Sequence, residues 1–430
     1  MESVWSRSVN LNTFKRLDGD VKTDVLIIGG GMAGLLCAYL LEQKGISYIL
    51  VTGGKIGNGI TKNTTAKITA QHGLIYANMI NNSGLEKAKQ YLYANLWAVN
   101  KFQELCRNID CDFEEMPSFV YSLASREIIE KEVSAVNKLG FNSEFTDCLP
   151  LPLDIKAAAK FPLQAQFNPL KFLGQLSRGL NIYENTFVEK ISKNSAKTKY
   201  GNITADKIII ATHFPMINIA GFYSLKLYQH RSYVIALDNA EYVGGMYVDE
   251  AQNGMSFRNY QKLLLIGGGD HRTGKDGGNW RELRNFAKTF YPDAIEKYNW
   301  ATQDCMSIDS VPYIGRISNL YPDIYVATGF NKWGMTSSMV SAYVLSDMIT
   351  GKDNPYADVF NPNRSMFKKQ LAVNSLEAVK NLISFNTKRC SHLGCALKWN
   401  KHEKTWDCPC HGSRYSEEGK LIDNPAKKDL

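Results

Sequence analysis

Between residues 22 and 53 the chain reads as strand, glycine turn, helix and second strand, and this stretch restricts the fold more than any other. Val25-Leu-Ile-Ile28 is a continuous apolar run, the pattern of a strand covered on both faces in a parallel sheet. Met32 to Lys44 has helical periodicity, Gly45 ends it, and Ser47-Tyr-Ile-Leu-Val51 is strand-like again. The turn is Gly29-x-Gly31-x-x-Gly34. Here Gly29 serves the sharp turn, Gly31 lets backbone approach a pyrophosphate, and Gly34 lets helix and strand touch. The helix start at Met32-Ala33 offers N–H groups and positive dipole to phosphates. Such a fingerprint does not separate FAD from NAD. An acidic residue at the end of the second strand would hold ribose hydroxyls, but Thr52 stands there, with one weaker hydrogen bond to give. A second cluster, Gly267 to Gly274, has Arg272 in the third glycine's place and is expected to be a strand end and loop.

At 430 residues, 44% hydrophobic and 21% charged, the chain can fill the cores of two or three domains. A net charge of +8 without a dense basic stripe argues against nucleic acid as a partner and suits an anionic cofactor. The first twenty residues lack the apolar core of a signal peptide. The longest apolar stretch, Val25 to Leu41, is broken by three glycines, so no membrane span and a cytoplasmic location are expected.

Further along, helices are expected over 85–108 and 127–139, with strands near Phe119–Ser122 and Phe141–Glu144. A buried strand is expected at Asp206–Thr212, followed by short strand-like runs of an antiparallel sheet over 216–270. A late strand, Asp323–Gly329, precedes a helix from Gly334 to Thr350. Residues 354–385 carry two prolines, a basic stretch and one short helical pattern, as a linker would.

Of nine cysteines, four crowd into the last 41 residues: Cys390, Cys395, Cys408 and Cys410. In an intracellular chain such clustering points to metal. Cys390-Ser-His392 and Cys408-Pro-Cys410-His411 are two loops, each able to give one thiolate and one imidazole, with fifteen residues between His392 and Cys408. Two thiolates on one iron and two neutral imidazoles on the other raise a cluster's potential. Zinc takes the same residue types, usually in the order Cys-x(2–4)-Cys with His-x(3–5)-His. The spacing resembles the Rieske family. That resemblance implies a [2Fe-2S] cluster with Cys390 and Cys408 on one iron, and His392 and His411 on the other. It also implies a Cys395–Cys410 disulfide tying the loops, with Gly394 and Gly412 in their turns. His402, between the loops, is expected to be a solvated hairpin residue. The resemblance covers 386–430, a shortened domain by that comparison, because Rieske domains usually supply two further sheet layers as a base.

Residues 24–351 resemble the D-amino-acid-oxidase/glycine-oxidase class of FAD-dependent oxidoreductases. The resemblance rests on the fingerprint, Thr61–Thr69, Ala205–Thr212, Asp309–Gly315 and Ile324–Met335, in that order. It implies an α/β Rossmann-like FAD-binding domain with an antiparallel-sheet (α+β) substrate domain, followed by a small all-β Rieske domain. Within the oxidoreductase domain, 1–353, FAD-binding segments are expected at about 20–110, 160–215 and 300–351. The substrate sheet is expected at about 111–159 and 216–299. FAD would meet Gly29, Gly31, Met32, Ala33, Gly34, Thr52, Thr64, Thr65, Ala66, Ala211, Gly329, Gly334 and Met335. Gly329 and Gly334-Met335 would bring a helix N-terminus to the flavin, with Lys332 beside it and Trp333 packing. Arg231, Tyr233, Tyr247 and Arg258 are candidates to fix the substrate, and His72 and His213 could lie near the ring.

Together these features imply a dehydrogenase that oxidises a small amine or amino-acid-like substrate and passes electrons through the cluster to an external acceptor, protein or quinone. An oxidase using oxygen directly, with a vestigial Rieske segment, and a non-catalytic redox sensor are the alternatives.

Overall fold

The computed structural model describes residues 2–217, 221–384 and 387–430. The apolar run becomes the strand Val21–Ile28, which pairs in parallel with Gly201–Ile210 on one side and Tyr48–Val51 on the other. An eight-stranded sheet grows from this pair, extended by Tyr321–Thr328 and Tyr313–Ser318. The glycine turn leads into the helix Met32–Gln43, which ends where Gly45 turns with φ 66°. That helix packs against Gly334–Ile349, buried along nearly its whole length. Because Val21–Ile28, Tyr48–Val51 and Gly201–Ile210 run the same way, their carboxyl ends meet on one edge, at a switch point of the sheet.

The second sheet has nine strands, among them the long Leu227–Asp238, Leu263–Arg272 and Ile295–Ser307. It is antiparallel apart from Met246–Asp249, which runs parallel to Glu114–Ser122. Two of its strands cross the expected segment limits: Ala157–Gln166 spans 160, and Ile295–Ser307 spans 300. Long sheet strands do not break where a motif-bearing segment begins.

The stretch read as a linker is built into the molecule. Phe360 is buried in the main core, Arg364 pairs with Asp309 at 2.7 Å, and Lys369–Leu382 is a helix of 14 residues. Beyond it, four short antiparallel strands from Lys398 to Asp423 form a meander over a small core of Leu397, Tyr415, Ala426 and four cysteines. Among the described residues the meander carries no further sheet layer of its own; it sits on the large sheet. Gly412 lies so close to that sheet that an added Cβ would come 2.3 Å from Gln229 Cγ.

Candidate functional site

The first site is a cavity of 370 Å³ at the carboxyl edge of the parallel sheet. Of the residues named from the sequence for FAD, Gly29, Gly31, Met32, Ala33, Thr52, Thr64, Ala211, Gly334 and Met335 line it. The glycines are required by space. A Cβ on Gly29 would meet the Ala211 carbonyl oxygen at 2.4 Å, and one on Gly34 would meet that of Gly29 at 1.8 Å. Gly34 therefore lies beneath the cavity and shapes it. Two helix N-termini, at Met32 and Gly334, open on the cavity, neither capped by the side chain of its own N-cap residue, which suits a phosphate-bearing anion. Thr61 Oγ1 accepts from the Met32 N–H at 3.1 Å. These residues fit FAD.

Three expected contacts fall elsewhere. Thr65 lines a neighbouring cavity, and Ala66 is wholly buried at φ 54°, its carbonyl taken by Arg258 at 2.8 Å. Gly329 forms a left-handed turn, its carbonyl accepting from Asn331 at 2.6 Å. His213 lines the FAD cavity and bonds Gln229 at 3.0 Å, with burial lowering its pKa. Sequence reasoning missed Thr186–Val188 and Phe214, as well as residues 422–427, which close the cavity from the cysteine-rich unit.

The second cavity, 280 Å³, shares Thr64, Asp304, Lys332, Gly334 and Met335 with the first, so the two meet at one seam. The residues proposed for substrate are mostly engaged. Arg231 is buried and forms an ion pair with Glu403. Arg258 donates to the Thr65 and Ala66 carbonyls at 2.7 and 2.8 Å, holding that turn. Tyr247 is buried, stacked on Phe119, and donates to the Val243 carbonyl at 2.7 Å. Tyr233 reaches the cavity wall, but its hydroxyl is tied to His271 and Glu403. His72 is held at both ring nitrogens, by Tyr91 at 2.6 Å and by the Thr69 carbonyl at 2.8 Å, and stacks on Trp333. Burial pushes its pKa down to about 3, which fixes it as a neutral anchor for the start of the Gly334–Ile349 helix.

The acidic groups of this cavity are Asp249, Glu250, Asp270 and Asp304. Its lysines offset them only in part. Lys332 is paired with Asp270, and burial beside Arg258 brings Lys67 down to about 7. Burial lifts Asp304 to about 6, with Asp270 adding and Lys332 opposing.

The third site is the pair of loops at the chain's end. Cys395 and Cys410 form a disulfide, leaving Cys390 and Cys408 as buried thiols outside it. The Cys390 and Cys408 carbonyls accept from the Gly394 and Gly412 N–H groups at 3.0 and 2.8 Å, with φ of 77° and 81° at the two glycines. The His392 and His411 rings lie 5.0 Å apart. His411 Nε2 donates to the Ser224 carbonyl at 3.1 Å, which leaves Nδ1 as the bare nitrogen. That Nδ1 is buried with no hydrogen-bond partner among the described residues, and burial keeps the ring neutral, with a pKa of about 3. A buried, neutral imidazole with a free lone pair fits a metal ligand, and so do the two buried thiols. His402 is exposed and lies apart from this centre, on the wall of a third cavity.

The two cofactor sites touch. Phe214, on the FAD cavity wall, makes edge contacts with both histidines, at ring-centroid distances of 6.4 Å to His392 and 5.9 Å to His411. Asn424 donates to the Thr212 and Phe214 carbonyls at 2.7 and 3.3 Å, and Gln303 donates to that of Gly412 at 2.8 Å.

With this geometry in place, residues 24–348 match the profile of the FAD dependent oxidoreductase family, and residues 358–430 match that of the Rieske [2Fe-2S] domain. The chain belongs to the FAD-dependent oxidoreductases. It carries a Rieske domain at its end, and the Rieske match begins before residue 386, within the stretch read as a linker. A relative, the Rieske 2Fe-2S iron-sulfur protein YhfW of Bacillus subtilis (strain 168), is 35% identical, covering 100% of this chain and 97% of its own. Among solved structures, L-proline dehydrogenase from P. horikoshii superposes with a TM-score of 0.67 at 18% identity, over 81% of this chain and 98% of its own. Glycine oxidase from Geobacillus kaustophilus gives 0.67 at 19% identity, over 80% and 99%. These two likenesses are of fold. Among the described residues, no helix is long and apolar enough to cross a membrane.

Proposed function

We propose that this oxidoreductase dehydrogenates a small cationic amine and sends the electrons through its own Rieske centre to an external acceptor. Contact between the two sites carries the proposal: Phe214 belongs to the FAD cavity wall and to the histidine side of the Rieske loops. Bound FAD would take a hydride from carbon, and a [2Fe-2S] cluster would accept electrons one at a time. The chain's own residues do the rest. Asp304 stands at the seam of the two cavities, where its carboxylate can hold a substrate ammonium and take its proton, so that the nitrogen lone pair can assist hydride loss. His72, Arg258 and the Lys332–Asp270 pair hold the seam's walls. Both Arg231 and Arg258 are engaged elsewhere, so neither is available as the usual clamp for a substrate carboxylate. An amine lacking a carboxylate therefore fits the acidic cavity better than an α-amino acid.

The test is anaerobic. The purified, iron-replete protein is mixed with a panel of amines and α-amino acids, and flavin bleaching and the Rieske electron-spin signal are followed. Amines that bleach the flavin and then raise the spin signal bear out the proposal. Bleaching by α-amino acids alone overturns the substrate class. Bleaching without a spin signal, together with rapid peroxide formation in air, favours a plain oxidase. With Asp304 near 6, kcat/KM for an amine should fall on the acid side of about pH 6, as the carboxylate is protonated. An Asp304→Asn substitution should remove that limb.

A further inference from the structure

The Lys369–Leu382 helix is turned inside out. Its buried residues are polar: Asn374 donates to the Leu225 carbonyl at 2.9 Å and accepts from Arg272 at 2.9 Å. Asn381 is buried as well, and its carbonyl accepts from the Ala396 N–H at 2.8 Å. The apolar residues face outward. Leu376 is 71% exposed, Val379 57% and Ile383 64%, and Phe367, just before the helix, is 87% exposed. Helical spacing puts Leu376, Val379 and Ile383 on one stripe. Scattered apolar residues on a surface need no explanation, but a continuous stripe on an otherwise polar helix does.

Charge narrows the occupant. Residues 366–389 hold five cations, Lys368, Lys369, Lys380, Lys388 and Arg389, against a single acid, Glu377. Glu377 is spent on Lys275 at 2.6 Å. A second copy docking by the same face would set these five cations against their own images, and the fit is correspondingly poor. An apolar ridge flanked by lysines matches the surface of an anionic bilayer, where apolar side chains enter the acyl boundary and the cations meet headgroups. The stripe also runs up to the cluster. The Arg389 guanidinium donates to the Leu382 and Gly394 carbonyls at 3.0 Å each, tying the helix end to the loop that carries His392 and the exposed Leu393.

We infer that the outward face of the Lys369–Leu382 helix, with Phe367 and Leu393 at its ends, is a membrane-surface attachment site for anionic lipid. It holds the molecule peripherally, with the Rieske loop against the bilayer. This attachment does not depend on the substrate or on flavin chemistry.

Sedimentation of the full-length protein with phosphatidylcholine vesicles, with and without phosphatidylglycerol, tests it. The protein should pellet with the anionic vesicles and be released by salt, since exposed charges are screened over about 8–10 Å at ordinary ionic strength. Leu376→Glu and Ile383→Glu should each weaken partitioning by about tenfold or more, as a fully buried apolar side chain contributes on that scale. Both side chains face outward, so flavin absorbance should stay as in the parent. Failure to pellet with anionic vesicles overturns the inference, as does pelleting that both variants retain. A dimer that the same substitutions dissociate would assign the face to a second copy and overturn it equally.

Discussion

At the residue scale the Cys390 loop is bordered by a side chain that its spacing motif does not contain. Tyr415, buried in the small core, places its hydroxyl 3.3 Å from Cys390 Sγ and also accepts from the Ser391 N–H at 3.1 Å. A hydrogen bond to a ligand sulfur is strongest when the centre carries an extra electron, so it raises the reduction potential. Tyr415→Phe should leave iron content unchanged and lower the midpoint by tens of millivolts, a fraction of a charged hydrogen bond in one-electron terms. A redox titration reading the spin signal checks this; an unchanged midpoint would remove Tyr415 from the tuning set. The two loops that bring these Cys and His residues together were legible because a cluster demands a fixed order of Cys and His close in sequence. The substrate side was not legible. Arg231 stood out as a strand arginine, but the carboxylate that engages it, Glu403, is 172 positions away. Asp304 lay in a strand without a motif, and only its place at the seam of two cavities distinguishes it.

At the element scale the sequence marked the first strand, the glycine helix and the helix after Gly334, because local periodicity and turn glycines dictate them. It left 354–385 as a linker, because the Lys369–Leu382 helix buries asparagines and exposes leucine, the reverse of the pattern by which core helices are recognised. The Rieske unit looked short for a similar reason. Its base is the large sheet of the oxidoreductase domain, met through Gln229, Arg231 and Gln303, and no local pattern announces a borrowed surface. Gly412 sits at that contact with φ 81°, where a Cβ would strike Gln229. Gly412→Ala should therefore cost about 1–2 kcal/mol in backbone strain alone, before the clash. Purified variant should keep its flavin and lose iron and acid-labile sulfide. An unchanged iron-to-flavin ratio would show that the loop reaches its conformation without that glycine.

At the scale of the whole molecule, the two units are joined through a buried lattice of charge. Glu403, on the Rieske hairpin, lies between Arg231 of the large sheet and Arg414 of its own unit, 2.7 Å from the latter. Arg414 also reaches Asp407 and Asp423, each at 3.1 Å. Burial alone would raise the Glu403 pKa, but the two arginines outweigh it and hold the group at about 2, below its ordinary 4.5. A carboxylate lowered in the folded state contributes stability that is complete above the unfolded value and is lost as pH falls through the folded one. The contact should therefore hold at neutral pH and weaken between about 4.5 and about 2. Glu403→Gln reproduces the acid state at neutral pH. Arg231 would then stay buried without its carboxylate, a loss of about 3–5 kcal/mol for a broken buried pair. The variant should show earlier proteolytic cleavage between the units and slower electron arrival at the cluster after anaerobic flavin reduction, with flavin bleaching by substrate unchanged. Equal transfer rates in variant and parent would mean that Phe214 and the terminal loop hold the two sites together without the lattice.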